Sequence, residues 1–174
     1  SVLKNHKIDW KIIESSLSRA SIVIAHNAAF DRGFIKRRSE LAHLSLHWGC
    51  SQKHIDWYGR GFRTRSLNYL ACDHGYVNPF AHRALFDCAT TFRLITPYLS
   101  ELIDKSYEKE YLLVALQAPF ARKDMLKERG YQWEPKRRAW VKTVFESQRE
   151  GEEKYLAEKI YEGASLHVVE DSTD

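Results

Sequence analysis

Apolar residues along the chain fall into short blocks whose spacing switches between helical and extended. Ile8, Ile12, Ile13 and Leu17 recur every three to four positions in residues 7–19, which predicts a helix with Asp9 as its N-cap. Residues 21–25, SIVIA, are β-branched and apolar and predict a buried strand. Asn27 then stands as N-cap of a helix over 28–38, with Phe30 and Phe34 on one face and Ala28, Asp31 and Ile35 on another. SLHWGCSQ, from Ser45, predicts a short strand. KHIDWYGRGFRTR follows with two glycines and four basic residues (Lys53, Arg60, Arg63, Arg65), and predicts a loop or an irregular helix end. Ser66 caps a helix that closes at Gly75, YVNPFA is a loop, and residues 83–96 form an apolar helix stopped by Pro97, with a short helix over 98–105.

The pattern changes near residues 106–110, SYEKE, and a domain boundary is expected near residue 108, dividing the chain into 1–107 and 108–174. The second part predicts a strand at Tyr111–Leu116, a helix over 121–129 ended by Gly130, and a hairpin-like stretch over 131–144. An acidic helix over 146–162 and a frayed tail, VVEDSTD, complete it.

Composition narrows the class. At 44% hydrophobic and 29% charged over 174 residues, the chain is an ordinary folded protein. No apolar run reaches the roughly 18–20 residues of a membrane span, and no charged-then-apolar leader is visible. Cys50, Cys72 and Cys88 are odd in number and irregularly spaced, which argues against a disulfide framework or a CxxC zinc site and points to a reducing, cytoplasmic setting. A net charge of +4 is compatible with nucleic acid without requiring it.

Two clusters carry candidate chemistry. In HNxxFD (His26, Asn27, Phe30, Asp31), Asp31 falls in a first helical turn, near unpaired N–H groups that favour its charged form. It also follows a strand's carboxyl end, where open α/β sheets place ligands. In HxxxxD (His82 to Asp87), a carboxylate lies on an apolar helix and needs a partner there. The blander readings are an Asp in a first turn with no further role, and an Asp bonded to a neighbouring element. Asn27 and Phe30 are assigned to structure, as a cap and a core contact.

IAHNAAFD, followed about fifty residues later by HRALFDCATT, resembles the second and third motifs of the DEDDh 3′–5′ exonucleases, the family of the bacterial DNA polymerase III proofreading subunit. The resemblance covers roughly residues 7–100. It implies an RNase H-like α/β fold, a mixed sheet flanked by helices. It further implies that Asp87 is a direct ligand of Mg²⁺ or Mn²⁺, that Asp31 serves a second ion, and that His82 is the general base. A two-metal site clamps the attacking and leaving oxygens at phosphorus, oxygen ligands suit Mg²⁺, and a neutral His can accept the proton of water. The implied activity is hydrolysis of single-stranded DNA, less readily RNA, from 3′ ends. The family's first motif, Asp-x-Glu on an early strand, has no counterpart here: Asp9 and Glu14 are the only acids before His26. The expectation is a shortened enzyme, inactive or weakly active alone. The alternatives are strands supplied by a protein partner or a second copy covering the incomplete sheet, and a non-catalytic nucleic-acid-binding or scaffolding protein on a degenerate exonuclease fold.

The second part is basic and aromatic from Pro119 onward. Arg122, Lys123, Lys127, Arg129, Lys136, Arg137, Arg138 and Lys142 are opposed only by Asp124, Glu128 and Glu134, and Trp133 and Trp140 bracket EPKRRA. Such a surface can neutralise phosphates and stack bases. The same pattern arises if both tryptophans are core residues and the charges are a solvated face. KDMLKERGYQWEPKRRAW also resembles a small domain attached to some DNA-processing enzymes, of the form KD-x-x-K-x-x-G-x-x-W…W. The segment from Glu146 holds nine acids against three bases and is expected to pack against the basic stretch.

Overall fold

Asp9 caps the first helix as its spacing suggests: its carboxylate accepts from the N–H groups of Lys11 and Ile12 at 3.1 and 3.3 Å. The computed structural model describes residues 7–163 and 167–171. The chain is mixed α/β with two separate sheets, and it divides after Ser106 into two units.

In the first unit α1 (Trp10–Ser18) leads to β1 (Val23–Ala25), α2 (Ala28–Lys36) and β2 (Trp48–Cys50). β1 and β2 run parallel, Val23 opposite Trp48 and Ala25 opposite Cys50, with α2 as the crossover. α3 (Leu67–Asp73), α4 (Ala84–Ile95) and α5 (Leu99–Tyr107) follow. Leu70, Leu94 and Leu102 gather around Trp57 with Ile55 and Ile95, and Ile22 and Ile24 pack against that cluster.

Two expectations are corrected here. Val23–Ala25 is half-buried rather than buried, because its sheet is two strands wide among the described residues. Phe30 is not a core contact: it is 70% exposed, and Phe34 one turn on is also exposed. Both lie on α2 beyond the width of sheet available to cover them.

Gly49 in β2 shows how closely α5 meets this sheet. A Cβ there would lie 2.6 Å from Leu102 Cδ2 and 3.1 Å from Ile22 Cδ1. Gly49→Val is expected to lower stability by about 1–3 kcal/mol, seen as a lower urea midpoint with unchanged slope.

The second unit is a four-stranded antiparallel sheet in the order β4-β5-β3-β6. Its strands are β3 (Glu110–Ala115), β4 (Gln132–Glu134), β5 (Ala139–Phe145) and β6 (His167–Asp171), with helices α6 (Lys123–Glu128) and α7 (Glu146–Tyr155). A turn of π-helix, Leu156–Ile160, continues α7. Tyr111, Leu113 and Ala115 alternate along β3 and meet Leu126, Val144 and Leu156 in a second core.

The tail read as frayed is also corrected. Its Val168–Asp171 lie in β6, paired with β3 from Ala115↔His167 to Tyr111↔Asp171. Residues 172–174 lie outside the described residues. Two β-branched residues opposite Leu113 and Val114 give this strand its apolar pairing, which only a partner far upstream in the chain reveals.

Candidate functional site

β1 ends at Ala25, and the chain turns through His26 and Asn27 into α2. Asn27 occupies the N-cap position but makes no side-chain cap bond. Its contribution is a left-handed backbone, φ +68°, which Asn tolerates better than most residues. His82, two residues before α4, shares this feature at φ +65°. Each motif-bearing helix is therefore entered through a left-handed turn.

His26 is fixed at both ring nitrogens. Nδ1 lies 2.8 Å from Ser51 Oγ and Nε2 lies 2.8 Å from the Arg65 carbonyl oxygen. A carbonyl only accepts, so Nε2 carries the proton and Nδ1 accepts from the Ser51 hydroxyl. Burial lowers the pKa of this His, against a smaller opposing effect of the Arg65 carbonyl, and favours that neutral form. Ser51 is fully buried, and its carbonyl accepts from Trp57 Nε1 at 2.6 Å. His26 thus ties the carboxyl end of β1 to the loop that runs from β2 to α3.

Asp31 sits in the first turn of α2, half-buried. Here the pKa shift runs opposite to the one a helix N-terminus alone would give. Burial raises the Asp31 pKa, and a hydrogen bond to its own backbone N–H only partly offsets it.

Asp87 sits in the first turn of α4. Its Oδ1 accepts from Asn78 Nδ2 at 2.8 Å, and the same amide nitrogen donates to Asn68 Oδ1 on α3 at 3.3 Å. Asn78 is 8% exposed, and its Oδ1 accepts from the Phe80 N–H. This is the pairing a carboxylate on an apolar helix requires. Sequence reasoning missed Asn78, Asn68, Ser51 and Arg65. The one available signal was the Asn-Pro turn of YVNPFA, which read only as a loop.

The structure thus builds two anchored pairs of motif and loop. His26 holds residue 65, and Asp87 holds residue 68 through Asn78. His82 is exposed. Among the described residues no three His, Cys, Asp or Glu side chains gather where they could share an ion. Asp31, His82 and Asp87 are fewer donors than a two-metal site takes, and by themselves they do not make one.

No protein-family model, no curated protein and no solved structure matches this chain. Among the described residues no helix is long and apolar enough to cross a membrane.

In the second unit the basic cluster is largely committed to acids. Glu152, 5% exposed, takes Arg129 Nε and Lys142 Nζ on one oxygen, each at 3.1 Å. Arg137 bonds both oxygens of Glu170 at 2.7 and 2.8 Å and also reaches Glu134 at 3.1 Å. Arg122 pairs with Glu162 and Lys127 with Asp124, while Lys123 lies over the Phe120 ring. Lys136 and Arg138 are exposed and have no acid partner among the described residues. Trp140 packs against the core, and Trp133 meets it edge-on at 5.7 Å while remaining 50% exposed. The acidic helix packs against the basic stretch through Glu152, in the way its composition suggested.

Proposed function

We propose that this chain is the part of a 3′–5′ exonuclease that carries the HNxxFD and HxxxxD motifs, acting on single-stranded DNA or, less readily, RNA. The observation that supports this reading most is the shared anchoring of the two motifs. HNxxFD begins at the carboxyl end of a parallel strand, HxxxxD enters the first turn of α4, and residues 65–68 are tied to the first directly through Arg65 and to the second through Asn78. The fold in this reading is RNase H-like, with β1 and β2 as two of its strands. Asp31 and Asp87 are the carboxylates this chain supplies for Mg²⁺ or Mn²⁺, and His82 is the base. In this reading the remaining carboxylates are supplied by a strand that pairs with the edge of β1 that has no partner among the described residues.

A second reading is a non-catalytic nucleic-acid-binding or scaffolding protein on the same fold. It is favoured by one observation: Asp87 Oδ1 is already engaged by Asn78.

Degradation of 3′-labelled single strands, with Mg²⁺ and with Mn²⁺, separates the two. The chain is run as given, with any coding sequence upstream of Ser1 restored, and with Asp87→Ala in each form. The expected outcome is little activity in the short form and activity in the longer one that falls at least about 100-fold with Asp87→Ala. Binding with no cleavage by any form would move the assignment to the second reading. Full activity in the short form would overturn the need for further carboxylates.

A further inference from the structure

The segment that joins the two motifs folds around an open groove of about 440 Å³, lined by Gly61, Phe62, Arg63, Thr64, Tyr69 and Asp73. That volume lies within the range of small-molecule sites, roughly 300–1,000 Å³. One wall is fixed by the core. The Phe62 ring stacks on His74 at 4.9 Å and meets Trp57 edge-on at 5.5 Å. Gly61 turns the chain at φ +87°, a conformation that would strain a residue with a side chain.

The groove's polar groups are available. Arg60 is paired with Glu101 and Arg65 lies over the Tyr58 ring, but Arg63 is exposed with no such partner among the described residues. Tyr69 is 68% exposed. Asp73 stands four residues on, one turn further along the same side of α3. Thr64 Oγ1 accepts from the Ser66 N–H, which leaves its hydroxyl proton free to donate.

We propose that this groove holds one nucleotide unit of a nucleic-acid strand. The base lies flat against Tyr69, a phosphate sits beside Arg63 and Thr64, and Asp73 accepts from a base amino group or a sugar hydroxyl. This rests on the nucleic-acid reading given above. Charge favours a polyanion: fifteen of the 27 lysines and arginines but only nine of the 23 acids precede residue 107, so that stretch carries +6. Arg63, which has no acid partner among the described residues, and Asp73 both line the groove, so the phosphate is placed at Arg63 rather than at the carboxylate. The frame that holds it is the frame of the motifs. Arg63 and Thr64 immediately precede the residue held by His26, and Tyr69 immediately follows the residue joined to Asp87 through Asn78.

The test is fluorescence anisotropy with a labelled short oligothymidylate and a matching oligouridylate, without divalent metal, over a range of salt. Tyr69→Ala is expected to weaken binding at least about fivefold, while Tyr69→Phe retains it. Arg63→Ala is expected to weaken binding and to reduce the slope of log K against log salt by roughly 0.7. Both side chains are exposed, so the variants keep their fold, checked by thermal melting. Wild-type affinity in Tyr69→Ala and Arg63→Ala would overturn the groove assignment and leave the nucleic-acid reading standing. A wild-type chain that binds neither strand would overturn that parent reading, and the groove with it.

Discussion

Replacing Trp57 by alanine is expected to destabilise the first unit by about 4 kcal/mol, within the range for emptying a buried aromatic site. Trp57 is 1% exposed and is one of the largest fully buried side chains described. It meets Phe62, His74 and Tyr98 edge-on at 5.5, 5.9 and 5.1 Å. Its Nε1–H donates to the Ser51 carbonyl, so truncation opens a cavity and also leaves a buried acceptor unpaired. The loss should spread to the His26 tie, since Ser51 serves both. Amide hydrogen exchange is the measurement of choice, because it reports each unit separately. Amides of α3 and α4 should exchange up to roughly a thousandfold faster if they open only with the whole unit, while those of β3 and β5, in a separate core, hold their rates. Wild-type protection in α3 and α4 would show that the Trp57 cluster does not hold this unit together.

Acid should act on the same region through two neutral histidines. His54 is buried, and its Nδ1 accepts from the Cys50 N–H at 3.1 Å. Burial first, then the charges of Lys53 and His47, lower its pKa from 6.5 to about 4. The His26 pKa is lowered too, chiefly by burial. The folded state therefore binds fewer protons than the unfolded state between about pH 6.5 and pH 4. Stability is complete above pH 6.5, falls as pH drops through that window, and levels off below it. For His54 alone the loss is on the order of 2 kcal/mol, after allowing for solvent screening of the neighbouring charges. Protonation would also leave the Cys50 N–H without its acceptor. Urea midpoints of the wild type should therefore decline from pH 7 to pH 4. His54→Gln should be less stable at pH 7 and show a flatter decline. An equal slope in the variant would assign the acid sensitivity to other groups.

The sequence was legible where periodicity is local. Ile8 to Leu17, SIVIA, and the runs after Ser66 and Arg83 predict α1, β1, α3 and α4 to within a few residues, because each encodes its own backbone periodicity, even where, as at Ile8 and Ile12, the apolar side chains stay exposed. Phe30 was not legible. Its helical face is apolar, but whether anything covers it depends on how many strands the sheet contains, which no local spacing records. β6 failed for the same reason, since its partner β3 lies far upstream. At the candidate site, the motif residues and their positions at helix starts were readable. The amide that receives Asp87 and the serine that receives His26 were not, because both come from loops whose path is set by tertiary contacts. The basic stretch was legible only in outline. Its composition leaves free cations and neutralisation by the acids after Glu146 both open, and which acid meets which cation (Glu152, Glu162 and Glu170 from that segment, Glu134 from within the stretch) is set by strand and helix packing.

The strand order of the second unit sets a timetable for its synthesis. β3 is made first yet lies inside the sheet, between β5 and β6. During translation β3 can pair with β5 as soon as the hairpin emerges, but its other edge waits until residue 171 has left the ribosome. Over that interval Leu112 to Ala115 offer an unpaired, apolar strand edge to any neighbouring nascent chain. A stop introduced before His167 would make the interval permanent, turning a transient hazard of biogenesis into a standing route to aggregation.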